Sequence, residues 1–421
     1  MTTSVRVSIA ALAVASSLAA QVPQGEAIMS NFTNAAPMEG LLLCNRNGTL
    51  TPVTGLLAAR GVAPDLNSIQ LDPVDDRVWI GGITASAGRI DTLKVTGSAV
   101  TNFTVIGNTG NGGSISGIAH DANGNAVASS GSITGTGGLF RVDRKTNLVT
   151  RFVGGGSWTG QAGTCNCVCS DDFGNLYFGV TGAPATVYML APGPNGDYAG
   201  VPVVVGTVAP PSSSATISSV EYAPAVGLRP ARIWWTTFGS AGTAVGFIPW
   251  PAGAAVAMGP IGGNSAPNWI DYDVAMDDFW LVTGGINPDT VMNVNHLGVG
   301  VNVGLVPPGG VNGTPSAIDV NDCDPAVAKI LPQYVPVNGG PFDLEFGTCC
   351  PPGHIGGVLL STFGNYPLVV GFAGADGRLF GKLINVTWPA GLPGLLTFQA
   401  VCFDPRNNTF DFGPLMTWPR N

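Results

Sequence analysis

The chain repeats itself roughly every fifty residues. The segments "SIQLDPVDDRVWIGG" from Ser68, "SGIAHDANGNAVASSG" from Ser116, "NCVCSDDFGNLYFGV" from Asn166, "SSVEYAPAVGLRPARIWWTTFG" from Ser218, "NWIDYDVAMDDFWLVTGG" from Asn268 and "SAIDVNDCD" from Ser316 align on a shared aliphatic residue. That residue is Ile69, Ile118, Val168, Val220, Ile270 or Ile318. Three residues later stand Asp72, Asp121, Asp171, Ala223, Asp273 and Asn321, at spacings of 49, 50, 52, 50 and 48. Such a period, built from short strand-like runs, marks the blades of a β-propeller.

Each unit reads as four strands. The innermost ends at the marker residue, and a turn rich in Asp, Asn and Gly follows, as in "DANGN" and "DDFGN"; these residues tolerate left-handed backbone. Second strands such as "RVWIGG", "NLYFGV" and "RIWWTT" come next, then a third and a variable outer strand. The sixth unit stops near Asp324, and its missing strands are found at the other end of the chain: "EAIMSNFT", "GLLLCNRNG" and "TLTPVTGLL", residues 26–56. The expected fold is therefore all-β, a six-bladed propeller closed by strands from both ends, which leaves only short protected edges. Cys44 and Cys323 both fall in this shared blade, and a disulfide between them is left open.

Composition agrees. Charged residues make up 10% of the chain, with 61 Gly and 33 Pro, so long solvated helices are disfavoured. The opening "MTTSVRVSIAALAVASSLAAQ" has one Arg before a short apolar run and small residues, the form of a secretory signal peptide over residues 1–20. No later segment has the ~18 unbroken apolar residues of a membrane-spanning helix. Losing Arg6 with the leader takes the net charge from −9 to −10, which argues against nucleic acid or anionic lipid as a partner. Eight cysteines in an exported chain point to disulfides.

The propeller spans residues 21–324. Residues 325–340, "PAVAKILPQYVPVNGG", read as a linker with a short helix, and residues 341–421 as a small β-sandwich. There, Cys349 or Cys350 is expected to pair with Cys402; the adjacent two cannot pair with each other without severe strain.

The repeat makes positions comparable between blades. Two residues before the marker stand Gln70, Ala119, Cys169, Glu221, Asp271 and Asp319. On an innermost strand these lie near the central channel, and Glu221, Asp271 and Asp319 together suit a hard cation such as Ca²⁺. The competing reading is a wet channel whose polar groups bond to backbone and water. Five residues before the marker the set is uniformly small and polar: Asn67, Ser116, Asn166, Ser218, Asn268 and Ser316, expected to line one mouth of the channel and to bind a ligand there. His120, beside Asp121, is an acid–base candidate at the channel mouth. Cys165, Cys167 and Cys169 share one strand face; buried structural sulfur is favoured over a soft-metal site, because Cys-x-x-Cys turns and a fourth ligand are missing. No Ser-His-Asp set or nucleophile elbow is legible.

The recurring aliphatic-x-x-Asp-x-x-Gly-Asn-aliphatic-aromatic units, as in "IAHDANGNAV" and "VCSDDFGNLYF", resemble the six-bladed NHL-repeat and SMP-30/gluconolactonase-like propellers across about residues 24–324. That resemblance implies either a lactonase holding a divalent metal on Glu, Asn and Asp, with Glu221, Asn268 or Asp271, and Asp319 the nearest matches, or a non-enzymatic binding protein. The tail, through "GGVLLSTFG" and "LTFQAVCFDP", resembles modules that end exported bacterial proteins, which implies display, sorting or attachment. The reading adopted is a secreted or cell-envelope scaffold that binds an extracellular ligand, glycan or protein; the alternative is a metal-dependent lactonase, hydrolase or lyase.

Overall fold

The computed structural model describes residues 13–15, 22–32, 40–61, 65–83, 87–110, 113–208, 216–238, 244–259, 267–284, 289–305, 314–322, 327–335, 340–362, 365–374, 376–387 and 394–419. The chain divides into two compact units, Ala19–Asp322 and a second holding Cys323–Asn421.

The first unit contains six four-stranded antiparallel sheets. Five run in chain order, with inner strands Leu66–Leu71, Ile115–His120, Cys165–Ser170, Thr216–Ala223 and Pro267–Asp273. The sixth starts with Thr314–Val320 and is completed by Ala27–Phe32, Leu41–Cys44 and Leu50–Pro52. Met29 stands opposite Ile318 in that ladder, and the hydroxyls of Ser30 and Ser316 bond at 2.9 Å. The expected six blades with a shared last sheet are thus present. The outer strand of that sheet is shorter than "TLTPVTGLL" suggests, because the chain turns after Pro52 into a helix at Leu56–Arg60.

The marker aspartates explain why the repeat exists. Asp171 accepts the backbone N–H groups of Phe173 and Asn175 at 2.9 Å on one oxygen, and the Asn175 amide and Tyr177 hydroxyl at 2.7 and 2.9 Å on the other. Asp121 repeats the turn contacts with Asn123 and Asn125. Asp72 and Asp273 take the indole N–H of Trp79 and Trp280 at 2.9 and 3.2 Å. One buried side chain so ties the turn to the second strand, which fixes its spacing from the aromatic. Gly124 and Gly174 complete the turns at φ 79°, where a side chain would be strained.

Apolar cores lie between neighbouring blades. Trp79, Ile90, Ile115 and Ile118 join the first two; Tyr177, Ile217, Val220 and Trp235 join the third and fourth. Gly179 makes one such contact feasible, since a Cβ there would stand 2.7 Å from Ile217. The larger cluster of Trp280, Ile318, Met29, Leu42, Ile69 and Ile80 covers the fifth, sixth and first blades.

The second unit has two sheets around a shared core of Ile330, Phe346, Val358, Val369, Phe398 and Trp418. One contains Tyr366–Phe372, Ile355–Leu360, Leu396–Asp404 and Thr409–Phe412 in that order, with Met416–Trp418 also on the third. The other contains Lys329–Leu331, Phe342–Cys349 and Arg378–Val386. Residues 329–331, expected within a linker carrying a short helix, are a strand instead, because Ile330 buries opposite Phe346. Cys350 pairs with Cys402, which resolves the choice for that partner. Within the expected leader, Ala13–Ala15 pair in parallel with Val369–Gly371; the other leader residues lie outside the described ones. So does Cys323, while Cys44 is a buried free thiol.

Candidate functional site: a ring of six bulge residues

The ladder between first and second strands is interrupted once in every blade. In the first, Leu66 pairs with Gly82 and Ser68 with Gly81, so Asn67 has no partner. The same shift skips Ser116, Asn166, Ser218, Asn268 and Ser316. Each is the extra residue of a β-bulge, a device that re-aims a side chain out of the regular alternation.

All six line one cavity of about 230 Å³, together with Thr216, Phe238 and Trp269. Among the described residues, the lining carries no charged residue and no histidine. The hydroxyls are turned to the protein: Ser316 donates to the Leu66 carbonyl at 2.6 Å, Ser116 to that of Ser114 at 3.4 Å, and Ser218 shares a 2.8 Å bond with Thr236. Each asparagine turns its Nδ2 to a protein acceptor. Asn268 donates to the Pro315 carbonyl at 2.8 Å, Asn166 to the Thr181 hydroxyl at 3.1 Å and Asn67 to the Ser114 hydroxyl.

Three residues further along the inner strands, ~10 Å at strand rise, lie the channel carboxylates. Asp271 accepts the backbone N–H of Val320 at 2.7 Å. Asp319 accepts that of Leu71 and, at 3.1 Å, the Gln70 amide. Burial, then the charge of Asp319, pushes Glu221 well above the usual carboxylate range; burial, then Asp319 and Glu221, does the same to Asp271. The three therefore sense one another, but two have an oxygen committed to the next blade. Among the described residues, no group of three or more His, Cys, Asp or Glu is placed to hold a metal ion.

His120 does not line the cavity. It sits at the opposite end of its strand, with Nε2 3.7 Å from Asp72 and its ring edge-on to Trp79 at 6.0 Å. It lies four positions beyond Ser116 on an extended strand, so the two face different ends of the channel. Cys165, Cys167 and Cys169 are buried free thiols, and burial raises all three, Cys167 to about 12. They pack into the cores on either side of the third blade. The bulges were missed from the sequence, as were Phe238, Thr216 and Trp269; the offset of five residues from the marker was the only signal of the ring.

No family model matches the chain, and no curated protein matches it. Solved structures do. A chain of a nidogen/laminin complex is 11% identical, covering 70% of this chain and 97% of that one with a TM-score of 0.50. TolB from Acinetobacter baumannii is 14% identical, with 70% and 66% covered and a TM-score of 0.49. A putative 6-phosphogluconolactonase from Bacteroides uniformis is 11% identical, with 70% and 98% covered and a TM-score of 0.45. At such identities the likeness extends to the β-propeller fold alone.

Proposed function

We propose that the chain is a secreted or cell-envelope propeller that acts as a non-catalytic recognition scaffold, taking an extracellular glycan or protein ligand at the ring mouth. In this reading residues 1–20 leave as a leader, residues 21–324 form the propeller, and residues 341–421 fold as a β-sandwich serving attachment or display. The observation that carries it is the convergence of six bulge residues, one per blade, on a single cavity. Among the described residues, the lining offers amides, hydroxyls and two aromatic side chains, the chemistry of recognition, and no nucleophile–base pair. The cavity is smaller than the ~300–1,000 Å³ typical around drug-sized ligands, so it holds one sugar ring or one side chain of a larger partner. The Cys350–Cys402 disulfide accords with an oxidising compartment, and among the described residues no helix is long and apolar enough to cross a membrane.

Glycan and peptide arrays probed with the intact protein test this. A ligand is expected whose binding disappears in Ser116→Trp, which fills the cavity, while the melting temperature holds. Turnover of a lactone or ester panel, lost together with a stoichiometric metal in the Glu221→Gln, Asp271→Asn double variant, would replace the scaffold reading with a metal-dependent hydrolase.

A further inference from the structure

The six bulge residues alternate around the ring. Blades one, three and five carry Asn67, Asn166 and Asn268; blades two, four and six carry Ser116, Ser218 and Ser316. The alternation turns a six-bladed ring into one with approximate threefold symmetry at its mouth. From this we infer that the site takes a primary ammonium group, as on a lysine side chain of a protein partner; the inference rests on the ring being the binding site.

The orientations of two amides are set by the protein. The carbonyl of Pro315 can only accept, so Asn268 presents Nδ2 to it. The hydroxyl of Ser114 donates to the Ile115 carbonyl at 3.5 Å and therefore accepts from Asn67. Asn166 places Nδ2 on the Thr181 hydroxyl. One N–H of each amide is so engaged, and among the described residues no donor meets the three Oδ1 atoms, each on a cavity-lining residue. The serines between them have hydroxyls already bonded to protein. The mouth thus presents three neutral acceptors on alternate blades, and an R–NH₃⁺ head carries three donors about a threefold axis. A guanidinium, a planar fork, does not match that symmetry.

Two further features favour a cation. Trp269 and Phe238 line the same cavity, and aromatic rings attract an ammonium. Among the described residues the lining holds no positive charge to repel one. Ligand class and ring geometry agree on the same group: three acceptors and an aromatic wall with no competing cation.

The test uses the intact protein and calorimetric titration with N-acetyl-lysine methylamide, its Nε-acetylated form, the norleucine and arginine analogues, methyl glycosides, and CaCl₂ or KCl alone. The lysine analogue is expected to bind at least tenfold more tightly than the acetylated, norleucine and arginine compounds. Asn166→Asp, whose Thr181 partner can donate instead of accept, is expected to tighten lysine binding severalfold and leave neutral ligands unchanged; Asn166→Leu is expected to weaken it at least fivefold. Tighter binding of a glycoside or of acetyl-lysine, abolished by Ser116→Trp, would overturn the ammonium assignment and leave the ring as the site. Saturable binding of Ca²⁺ or K⁺ alone, with no response to the lysine analogue, would also overturn it. No binding of any probe, with all ring variants silent on the arrays as well, would remove both readings.

Discussion

The carboxylate of Asp319 accepts the backbone N–H of Leu71, across the seam between the last blade and the first. Asp271 makes the same contact one blade earlier, to Val320 at 2.7 Å. The residue two before the marker therefore latches each of these blades to the next. Asp319→Ala should cost ~2 kcal/mol, the scale of orphaning a buried donor, and Asp319→Asn, which keeps an acceptor, less than half of that. Chemical denaturation of the propeller unit measures both; equal losses would show that the carbonyl-type acceptor is not what matters.

Glu221 and Asp271 should make the propeller less stable as pH rises. Their folded-state pKa values lie above those of the unfolded chain, so their contribution is complete below ~pH 4 and is lost as pH climbs through the raised values. Glu221→Gln removes one ionisation. Its melting temperature should exceed that of the parent by ~3 °C or more at pH 8, and the gap should close towards pH 5. His296, lowered by burial, acts in the opposite sense at mildly acidic pH, but it is present in both proteins and drops out of the difference.

The marker aspartates should matter more than any surface acid. Asp171→Ala leaves two turn N–H groups and the Tyr177 hydroxyl without their acceptor, and a loss of ~3 kcal/mol is expected. Asp172→Ala, whose neighbour does the tying, should stay within ~0.5 kcal/mol. Equilibrium unfolding of the two variants decides between an anchoring aspartate and a merely recurrent one.

This is also why the blades were legible before the ring was. A side chain that must reach a turn two to four residues on and an aromatic six or seven residues on is held at fixed spacing, as at Asp171 and Tyr177 or Asp72 and Trp79, and fixed spacing is visible in a sequence. The ring showed only as small polar residues at one offset. Its bulges are shifts of backbone pairing, and Asn67 or Ser316 looks the same in a regular strand. The latch at Asp319 leaves no residue signature, because its partner is a backbone N–H, and the same carboxylate suits a cation ligand equally well in the sequence. Nor does alternation say which end of the channel His120 faces. Lys329–Leu331 and the helix at Leu56–Arg60 span three and five residues, too few for a period to register.

The four thiols should be inert in the folded protein. Cys44, Cys165, Cys167 and Cys169 are buried, and burial pushes Cys44 and Cys167 up to about 12, so almost no thiolate forms at pH 8. A thiol reagent should label none of them natively and all four after denaturation. Rapid native labelling at Cys167 or Cys169 would mean that the third blade opens.

Removing Cys350–Cys402, which closes a loop of 52 residues, in a Cys350→Ala, Cys402→Ala double variant should destabilise the C-terminal unit by ~4 kcal/mol on the chain-entropy scale. The propeller transition should stay where it was. A parallel loss in both would show that the two units unfold together.

The bond between Ser30 and Ser316 joins residues 286 positions apart. A chain emerging amino end first delivers Ile28, Met29 and Leu41–Leu43 long before the strand that will shelter them exists. Those sticky segments must wait, unhoused, for nearly three hundred residues to follow. Circularisation is then the slow, late event in biogenesis, and a cell that makes this protein has reason to escort its leading end until the trailing strand arrives.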